Sequence, residues 1–572
     1  MPLNNIKIFF RNLLSFNDKF PLLFTQFYFW AFFALVFAGL TLLKNKILLR
    51  NVFLLFASLF FYFKTSGLFV ILLLFTTLNC FWVGKRIDVS TSITKRKWFV
   101  FLGIFVNLLL LAYFKYAYFF TSVYNSMVHT HIEVVNYLAL WTNQLSGSAH
   151  FDVGNILLPV GISFYTFQSI SYVIDVYRKK IAHVPNFFNF GFFVCFFPGL
   201  VAGPIIRANQ FVPQLYKKYF LSRRQFGIAV FWILNGLIKK LILSDYLAVN
   251  FVDRVIENPH LFTSFENFSA IFVYSLQVYA DFSGYTDIAI GVAMLMGFYM
   301  PKNFDAPYKA TNPGDFWKRW HISLSTWLKD YLYIPLGGNR KGKIRTHINL
   351  MLTMLLGGLW HGASWNFVIW GGLNGLGITI FKGWRAIKNL KRLWITLLFF
   401  LLSLLLYCFF PFPAFKIALV WTGVIALGAL CSYLYVDVFK KNPLAKLNRG
   451  WSIFLTFVFI TFTRLFFRSG SNLDPAEQTA HAWNTAKTMV NQIGGKWNWA
   501  QIPEIAATYK AVFLLFALGM FIHWIPERWK RRYRLNFALL PIWVIGIAVV
   551  AVVFLVYQFI TADLQPFIYF QF

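Results

Sequence analysis

Long apolar stretches dominate this sequence and limit what it can fold into. Stretches with few charges, long enough at about 20 residues to cross a bilayer as a helix, recur from residues 24–43 to residues 537–559. Of the 572 residues, 58% are hydrophobic and 13% are charged, whereas a soluble domain has about 25% charged residues. The alternation typical of outer-membrane strands is absent. We therefore predict an all-α polytopic membrane protein, with about 11–14 transmembrane or re-entrant helices.

The net charge of +33 would suggest a nucleic-acid partner in a soluble protein. Here the basic residues lie in short loops between apolar stretches, as in cytoplasmic loops. We therefore predict contact with membrane lipids and no nucleic-acid partner. Residues 121–155 contain no Lys or Arg, and residues 469–509 are polar. Both are predicted to be extracytoplasmic loops.

Three domains are predicted along the chain. Residues 1–23 are basic and weakly amphipathic, which favours an interfacial helix. Residues 24–560 form the membrane domain, and residues 561–572 form a tail. Within the membrane domain, residues 189–206 are apolar but rich in Pro and Gly, which favours a re-entrant segment over a plain spanning helix.

Ionisable residues inside apolar stretches are functional candidates, because burying them in a membrane is costly. Asp281 and Asp287 lie in the apolar residues 268–300. The alternative is that they cap or brace broken helices.

His361 is the sharpest candidate of this kind. It lies in an apolar stretch and is flanked by Gly357, Gly358 and Gly362, which break helices and allow close approach. We predict that it sits at the turn of a hairpin that enters from the cytoplasmic side. An imidazole with a pKa of about 6.5 suits a general base that takes a proton from an attacking hydroxyl. The alternative is a buried structural histidine.

Residues 301–346 are rich in Trp, Lys and Arg and carry His321. This pattern indicates cytoplasmic amphipathic helices at the membrane surface. His321 either orients a donor or is structural, and the basic, aromatic face around it suits an anionic carrier or anionic lipid. The candidate substrate-binding residues are Asp281, Trp317, Arg319, Trp320, Trp360 and Asn366. No metal site is predicted, since no cluster has ligand spacing.

Six stretches carry a family resemblance: residues 158–178, 196–207, 235–248, 279–291, 315–338 and 355–372. They resemble the membrane-bound O-acyltransferases, in particular the bacterial branch that O-acetylates alginate. The resemblance implies helices around a central funnel, with His361 catalytic and His321 a second essential or structural histidine. It also implies an acyl thioester substrate, acetyl-CoA or an acyl-carrier protein, on the cytoplasmic side, and no bound cofactor.

The C-terminal tail ends in FIYFQF. The spacing of Phe567, Tyr569 and Phe572 resembles the acceptor motif of the small peptide that serves D-alanyl transfer to teichoic acid. The resemblance implies that Tyr569 takes the acyl group transiently. The alternative is that the tail only docks as an aromatic segment.

Together these features predict an O-acyltransferase of the cytoplasmic membrane with an extracytoplasmic C-terminus. It would move an acyl group, with acetyl implied by the resemblance, from a cytoplasmic thioester to acyl-Tyr569, then to an SGNH-type extracytoplasmic partner and a cell-surface polysaccharide. Direct acylation of a lipid-linked glycan, a transporter or flippase, and a non-catalytic scaffold are the alternatives.

Overall fold

Helices make up all the regular structure that is described. A computed structural model describes residues 22–147, 151–201, 203–442, 444–468 and 475–559. No strand occurs in these ranges, and the all-α prediction is confirmed. The predicted interfacial helix at residues 1–23 and the tail at 561–572 lie almost entirely outside the described residues.

The α-helices of the first part of the chain are α1 (Phe27–Leu42), α2 (Ile47–Ser66), α3 (Val70–Val89), α4 (Ile93–Leu111), α5 (Ala117–Val128), α6 (Tyr137–Ser146), α7 (Ile162–Tyr177), α8 (Phe187–Cys195), α9 (Phe197–Leu200), α10 (Ala208–Leu215) and α11 (Arg223–Leu237). Those that follow are α12 (Asp253–Glu257), α13 (Ser264–Leu295), α14 (Pro313–Arg319), α15 (Ile322–Leu328), α16 (Gly342–His361), α17 (Trp365–Trp384), α18 (Asn389–Phe409), α19 (Pro413–Tyr433), α20 (Ala445–Thr463), α21 (Leu465–Arg468), α22 (Pro475–Gly494), α23 (Ile502–Thr508), α24 (Lys510–Trp524), α25 (Glu527–Leu539) and α26 (Ile542–Phe559). Short π-helical and 3-10 segments extend or join them: Gly67–Phe69, Ala112–Tyr116, Ile238–Asp245, Ala248–Val252, Pro259–Leu261, Pro307–Lys309, Lys329–Tyr333, Leu434–Val438 and Trp499–Gln501.

The chain is a multi-pass membrane protein. Within the described residues, seven helical segments are long and apolar enough to cross a bilayer: Ile47–Val89, Ile93–Val128, Arg223–Glu257, Asn389–Phe409, Pro413–Val438, Ala445–Phe467 and Ile542–Phe559. The count is eight if Trp499–Thr508 and Lys510–Trp524, bent by 83°, form one span. The predicted number was larger because it included half-spans, and because two predicted short spans belong to the single segment Ile47–Val89.

The chain forms two compact units that interleave in sequence. Unit 1 comprises Met1–Leu241, Phe282–Asn303 and Glu527–Gln558. Within it, α7 packs against α3 and α4, α8 packs against α2, and α25 packs against α11. A buried aromatic cluster includes Phe24, whose ring lies 4.6 Å from that of Tyr285.

One of the two buried acids lies in unit 1. The Asp287 carboxylate accepts hydrogen bonds from Lys239 at 2.7 Å and from Asn235 at 2.6 Å. The backbones approach closely here, since a Cβ added to Gly236 would lie 2.5 Å from the carbonyl oxygen of Gly284. Asp287 therefore braces a helix crossing, which was the structural alternative in the sequence analysis.

Unit 2 comprises Ile242–Asp281, Phe304–Pro526 and Phe559–Phe572. Two antiparallel helical pairs, α16 with α17 and α18 with α19, form its framework, and α22 packs against α19. Helices α20 and α21, which follow each other along the chain, both pack against α17. All the site residues described below lie in this unit.

Two of the predicted extracytoplasmic loops contain helices, and the side of the membrane on which they lie stays a prediction. Residues 121–155 contain α6, and residues 469–509 contain α22 and α23. The low hydropathy of α22 hid an amphipathic stripe, because Ala482, Ala486, Met489 and Ile493 recur at helical spacing and are buried. The predicted break in residues 189–206 is confirmed, since α8 ends at Cys195 and α9 is only four residues long.

Candidate functional site

His361 is the last residue of α16, at the turn of a helical hairpin. Gly362 is extended, with φ −159° and ψ 150°, which ends the helix, and α17 begins at Trp365. Glycines let the two helices touch: a Cβ on Gly358 would lie 2.3 Å from the carbonyl oxygen of Phe367, and one on Gly371 would lie 2.3 Å from that of Met354. The predicted hairpin, with His361 at its turn, is confirmed.

One hydrogen bond orients the imidazole. Nδ1 of His361 lies 2.7 Å from the carbonyl oxygen of Gly357, one turn earlier in the same helix. A carbonyl oxygen can only accept, so Nδ1 is assigned as the donor and carries the proton. The lone pair of the neutral ring is then on Nε2, the arrangement that a general base requires.

Aromatic rings surround His361, which is 2% exposed. The Trp360 and Trp370 rings both lie 5.0 Å from the imidazole centroid, and the Phe467 ring lies 5.6 Å away. The His321 ring lies 6.5 Å away. The predicted catalytic residues His361 and His321 therefore meet, together with the predicted binding residue Trp360. Tyr569, the third, lies outside the described residues.

His321 separates α14 from α15 in a left-handed conformation, with φ 44° and ψ 57°. Non-glycine residues rarely adopt it, and such strain persists only where the surroundings impose it. His321 is fully buried, although the sequence predicted that it lies on an amphipathic helix at the membrane surface. Burial, and secondly the neighbouring His361, hold the pKa of His321 well below its usual range, so the ring is neutral.

The predicted binding residues Trp317, Trp320 and Asn366 also lie near this cluster. The Trp317 ring packs 5.5 Å from that of Trp370, and its Nε1 donates to Asn374 Oδ1 at 3.3 Å. Asn366 Nδ2 donates to the carbonyl oxygen of Phe466 at 3.0 Å. Trp320 lines a small cavity together with Trp370 and Phe467. The roles of Trp317, Trp320 and Asn366 toward substrate stay predictions.

Arg319 and Asp281 have different surroundings. Arg319 Nε donates to Asp315 Oδ1 at 3.0 Å, and its Nη1 donates to the carbonyl oxygen of Asp305 at 3.2 Å. These bonds stabilise α14 and give Arg319 a structural contact. Asp281 is buried on α13, 3% exposed. A substrate contact for either residue stays a prediction.

Sequence reasoning missed a buried polar group beside the Trp320 ring, whose centroid lies 4.5 Å from Cζ of Arg464. Arg464, which lies between α20 and α21 and is 3% exposed, donates from Nη1 to Tyr308 Oη at 2.5 Å and to the Ser275 carbonyl oxygen at 3.0 Å. His523, also buried, accepts at Nε2 from the Tyr308 backbone N–H at 3.2 Å. Both are ionisable residues in apolar helices, the signal that singled out Asp281.

A small cavity lies in this part of unit 2. Its walls include Trp320, Trp370, Arg464 and Phe467. Its volume is about 10 Å³, close to the minimum that holds one water molecule. Trp370 and Phe467 also contact the His361 ring, so the cavity and the imidazole share two walls.

Comparison with known proteins places this site in a family. A family model for MBOAT, the membrane-bound O-acyltransferases, matches residues 178–411. A probable alginate O-acetylase of Azotobacter vinelandii is 36% identical over 484 residues, covering 82% of this chain and 91% of that protein. One of Pseudomonas putida is 40% identical over 362 residues, covering 62% and 70%. The peptidoglycan O-acetyltransferase of Helicobacter pylori is 34% identical over 405 residues, covering 65% and 73%.

The chain belongs to the membrane-bound O-acyltransferase family. It is therefore an acyltransferase, as predicted from the resemblance. The matched range includes His321 and His361, whereas Arg464 and Phe467 lie beyond it. Within the described residues, no group of three or more His, Cys, Asp or Glu side chains is arranged to hold a metal ion.

Proposed function

We propose that this acyltransferase moves an acetyl group from a cytoplasmic thioester across the membrane, for O-acetylation of an extracytoplasmic cell-surface polysaccharide. The observation that carries the proposal is the oriented imidazole of His361 at the break of an apolar hairpin. The relatives described as O-acetylases support acetyl as the group.

The donor in this proposal is acetyl-CoA or an acetylated acyl-carrier protein, used as substrate with no bound cofactor. Nε2 of His361 takes the proton of the acceptor hydroxyl as the oxygen attacks the thioester carbonyl carbon. The C–S bond then breaks, and the thiolate leaves with the proton that His361 returns. General base catalysis of this kind contributes about 10²–10⁴-fold.

Tyr569 is the proposed first acceptor. Its phenol has an ordinary pKa of about 10, so the phenolate leaves more readily than a sugar alkoxide and the acetyl group stays activated in the aryl ester. An extracytoplasmic SGNH-type transferase then takes the group and passes it to the polysaccharide. This order requires the C-terminus to be extracytoplasmic and the protein to lie in the cytoplasmic membrane.

The role of His361 is tested in nanodiscs with radiolabelled acetyl thioester. His361→Ala should abolish donor consumption, because it removes the imidazole that is proposed to take the proton of the acceptor hydroxyl. His347→Ala is the matched control, since it removes a histidine from the same helix, and should retain activity. Substantial turnover by a folded His361→Ala protein rejects the proposed chemistry.

The role of Tyr569 is tested by mass spectrometry of the C-terminal peptide after reaction with donor. The wild type should carry an acetyl ester on Tyr569, and Tyr569→Phe should lose polysaccharide acetylation. Tyr557→Phe, on the exposed face of α26, is the matched control. Full polysaccharide acetylation by Tyr569→Phe would instead favour direct transfer to a glycan acceptor.

A further inference from the structure

Arg464 is a buried cation whose charge the described residues do not neutralise. The structure shows no ion pair for it in these ranges, and both of its hydrogen bonds come from Nη1 to neutral oxygens. Its Cζ lies 4.5 Å from the Trp320 ring centroid and 5.4 Å from that of Tyr308. Cation–π contacts lessen the cost of burying a guanidinium, but a buried charge ordinarily has an anionic partner.

The surroundings of Arg464 indicate where an anion would lie. Arg464 lines the small cavity, and two other lining residues, Trp370 and Phe467, contact the ring of His361. The cavity has room for about one oxygen-sized group. In acyl transfer, one oxygen becomes negatively charged as the acceptor attacks: the carbonyl oxygen of the acyl group.

We propose that Arg464 binds the acyl oxygen and stabilises the oxyanion formed during transfer. This inference rests on the proposed function. When the acceptor oxygen bonds to the carbonyl carbon, the C=O electron pair moves to the acyl oxygen and the hydroxyl proton goes to Nε2 of His361. When the C–S bond breaks, the C=O bond re-forms and the thiolate takes the proton. Nε and Nη2 of Arg464, which bond to no described residue, supply the donors to that oxygen.

Tyr308 is the positioning residue in this arrangement. Its hydroxyl accepts from Arg464 Nη1 and donates to the Ser275 carbonyl oxygen, so it holds one edge of the guanidinium. Because the guanidinium is planar and rigid, fixing Nη1 also fixes the directions in which Nε and Nη2 donate. Preorganised donors of this kind act mainly on the transition state, so their loss lowers kcat more than it raises KM.

The test uses the full-length protein in nanodiscs, with acetyl thioester as donor and initial rates measured over donor concentration. Arg464→Met and Arg464→Ala should lower kcat by about 10²–10³-fold, with KM for the donor changed far less. Added methylguanidinium should restore part of the activity of Arg464→Ala. Arg392→Ala removes another arginine of unit 2 that packs on a tryptophan and should retain wild-type kcat.

Three results are informative beyond the expected one. A wild-type kcat in Arg464→Ala overturns the inference. The inference is also overturned if Arg464→Ala unfolds at the wild-type temperature, has a lowered kcat, and regains no activity when methylguanidinium is added. In that case the guanidinium would not be the group responsible for the activity. If the wild-type protein does not consume the thioester, the proposed function fails and this inference fails with it.

Discussion

Gly358→Ala tests whether the contact between α16 and α17 sets the position of His361. The added Cβ would lie 2.3 Å from the Phe367 carbonyl oxygen, whereas real Cβ atoms essentially never come closer than 3.0 Å. The obstructing atom belongs to the backbone, so no side chain can rotate away. The two helices must therefore separate by at least about 0.7 Å, which is the difference between those distances.

The expected loss is large because His361 lies three residues farther along α16. Displacing a catalytic group by about 1 Å lowers the rate by about 10²-fold, and overpacking of this kind costs about 1–3 kcal/mol of stability. Since the expected displacement is about 0.7 Å, we expect Gly358→Ala to lower the rate of acetyl transfer by about ten- to a hundred-fold. The measurement is initial rate in nanodiscs, together with the midpoint of thermal unfolding.

Gly383→Ala is the matched control on α17, because a Cβ there meets nothing within 4 Å. Alanine in an open helical position gains about 0.4–1 kcal/mol, so this variant should be fully active and slightly more stable. If Gly358→Ala keeps wild-type activity and stability, the close contact does not position the imidazole and the argument for the hairpin is wrong.

Two further predictions concern buried ionisable groups. The pKa of His321 is lowered by burial, and secondly by His361, so the unfolded chain binds the proton more readily and stability should fall as pH drops below about 6.5. Thermal unfolding at about pH 7.5 and about pH 5 should show a smaller loss for His321→Gln than for the wild type; an equal loss would assign the acid sensitivity to other groups. Asp287→Ala should destabilise the protein by about 3 kcal/mol, since it removes the carboxylate bound to Lys239. Pairing it with Lys239→Met should recover much of that loss in the same melts, and no recovery would show that the ion pair is not the cause.

The candidate site was only partly visible in the sequence. His361 stood out because it is an ionisable residue flanked by glycines in an apolar stretch, where burying an imidazole is costly. His321 was placed on a surface segment because its neighbours are polar and basic, whereas the structure buries it. Local polarity could not show this, since burial depends on which distant helices cover the segment.

Arg464 is a second residue whose place in the site the sequence could not show. It is a single charge in an apolar span, as conspicuous as Asp281, yet its sequence neighbourhood gives no link to residues 315–372. The link comes from Trp320, Trp370 and Phe467, which pack together from three separate parts of the chain. Only the packing of those helices brings the guanidinium and the imidazole to the same aromatic walls.

The sequence by itself determined the all-α membrane class, the hairpin break at His361 and the family, because hydropathy and glycine spacing act over a few turns of helix. Tertiary structure decided that Asp287 braces a helix crossing, that Pro475–Gly494 and Ile502–Thr508 are helices, and which rings surround the imidazole. These properties depend on contacts between residues far apart in sequence, whose energies no local pattern encodes.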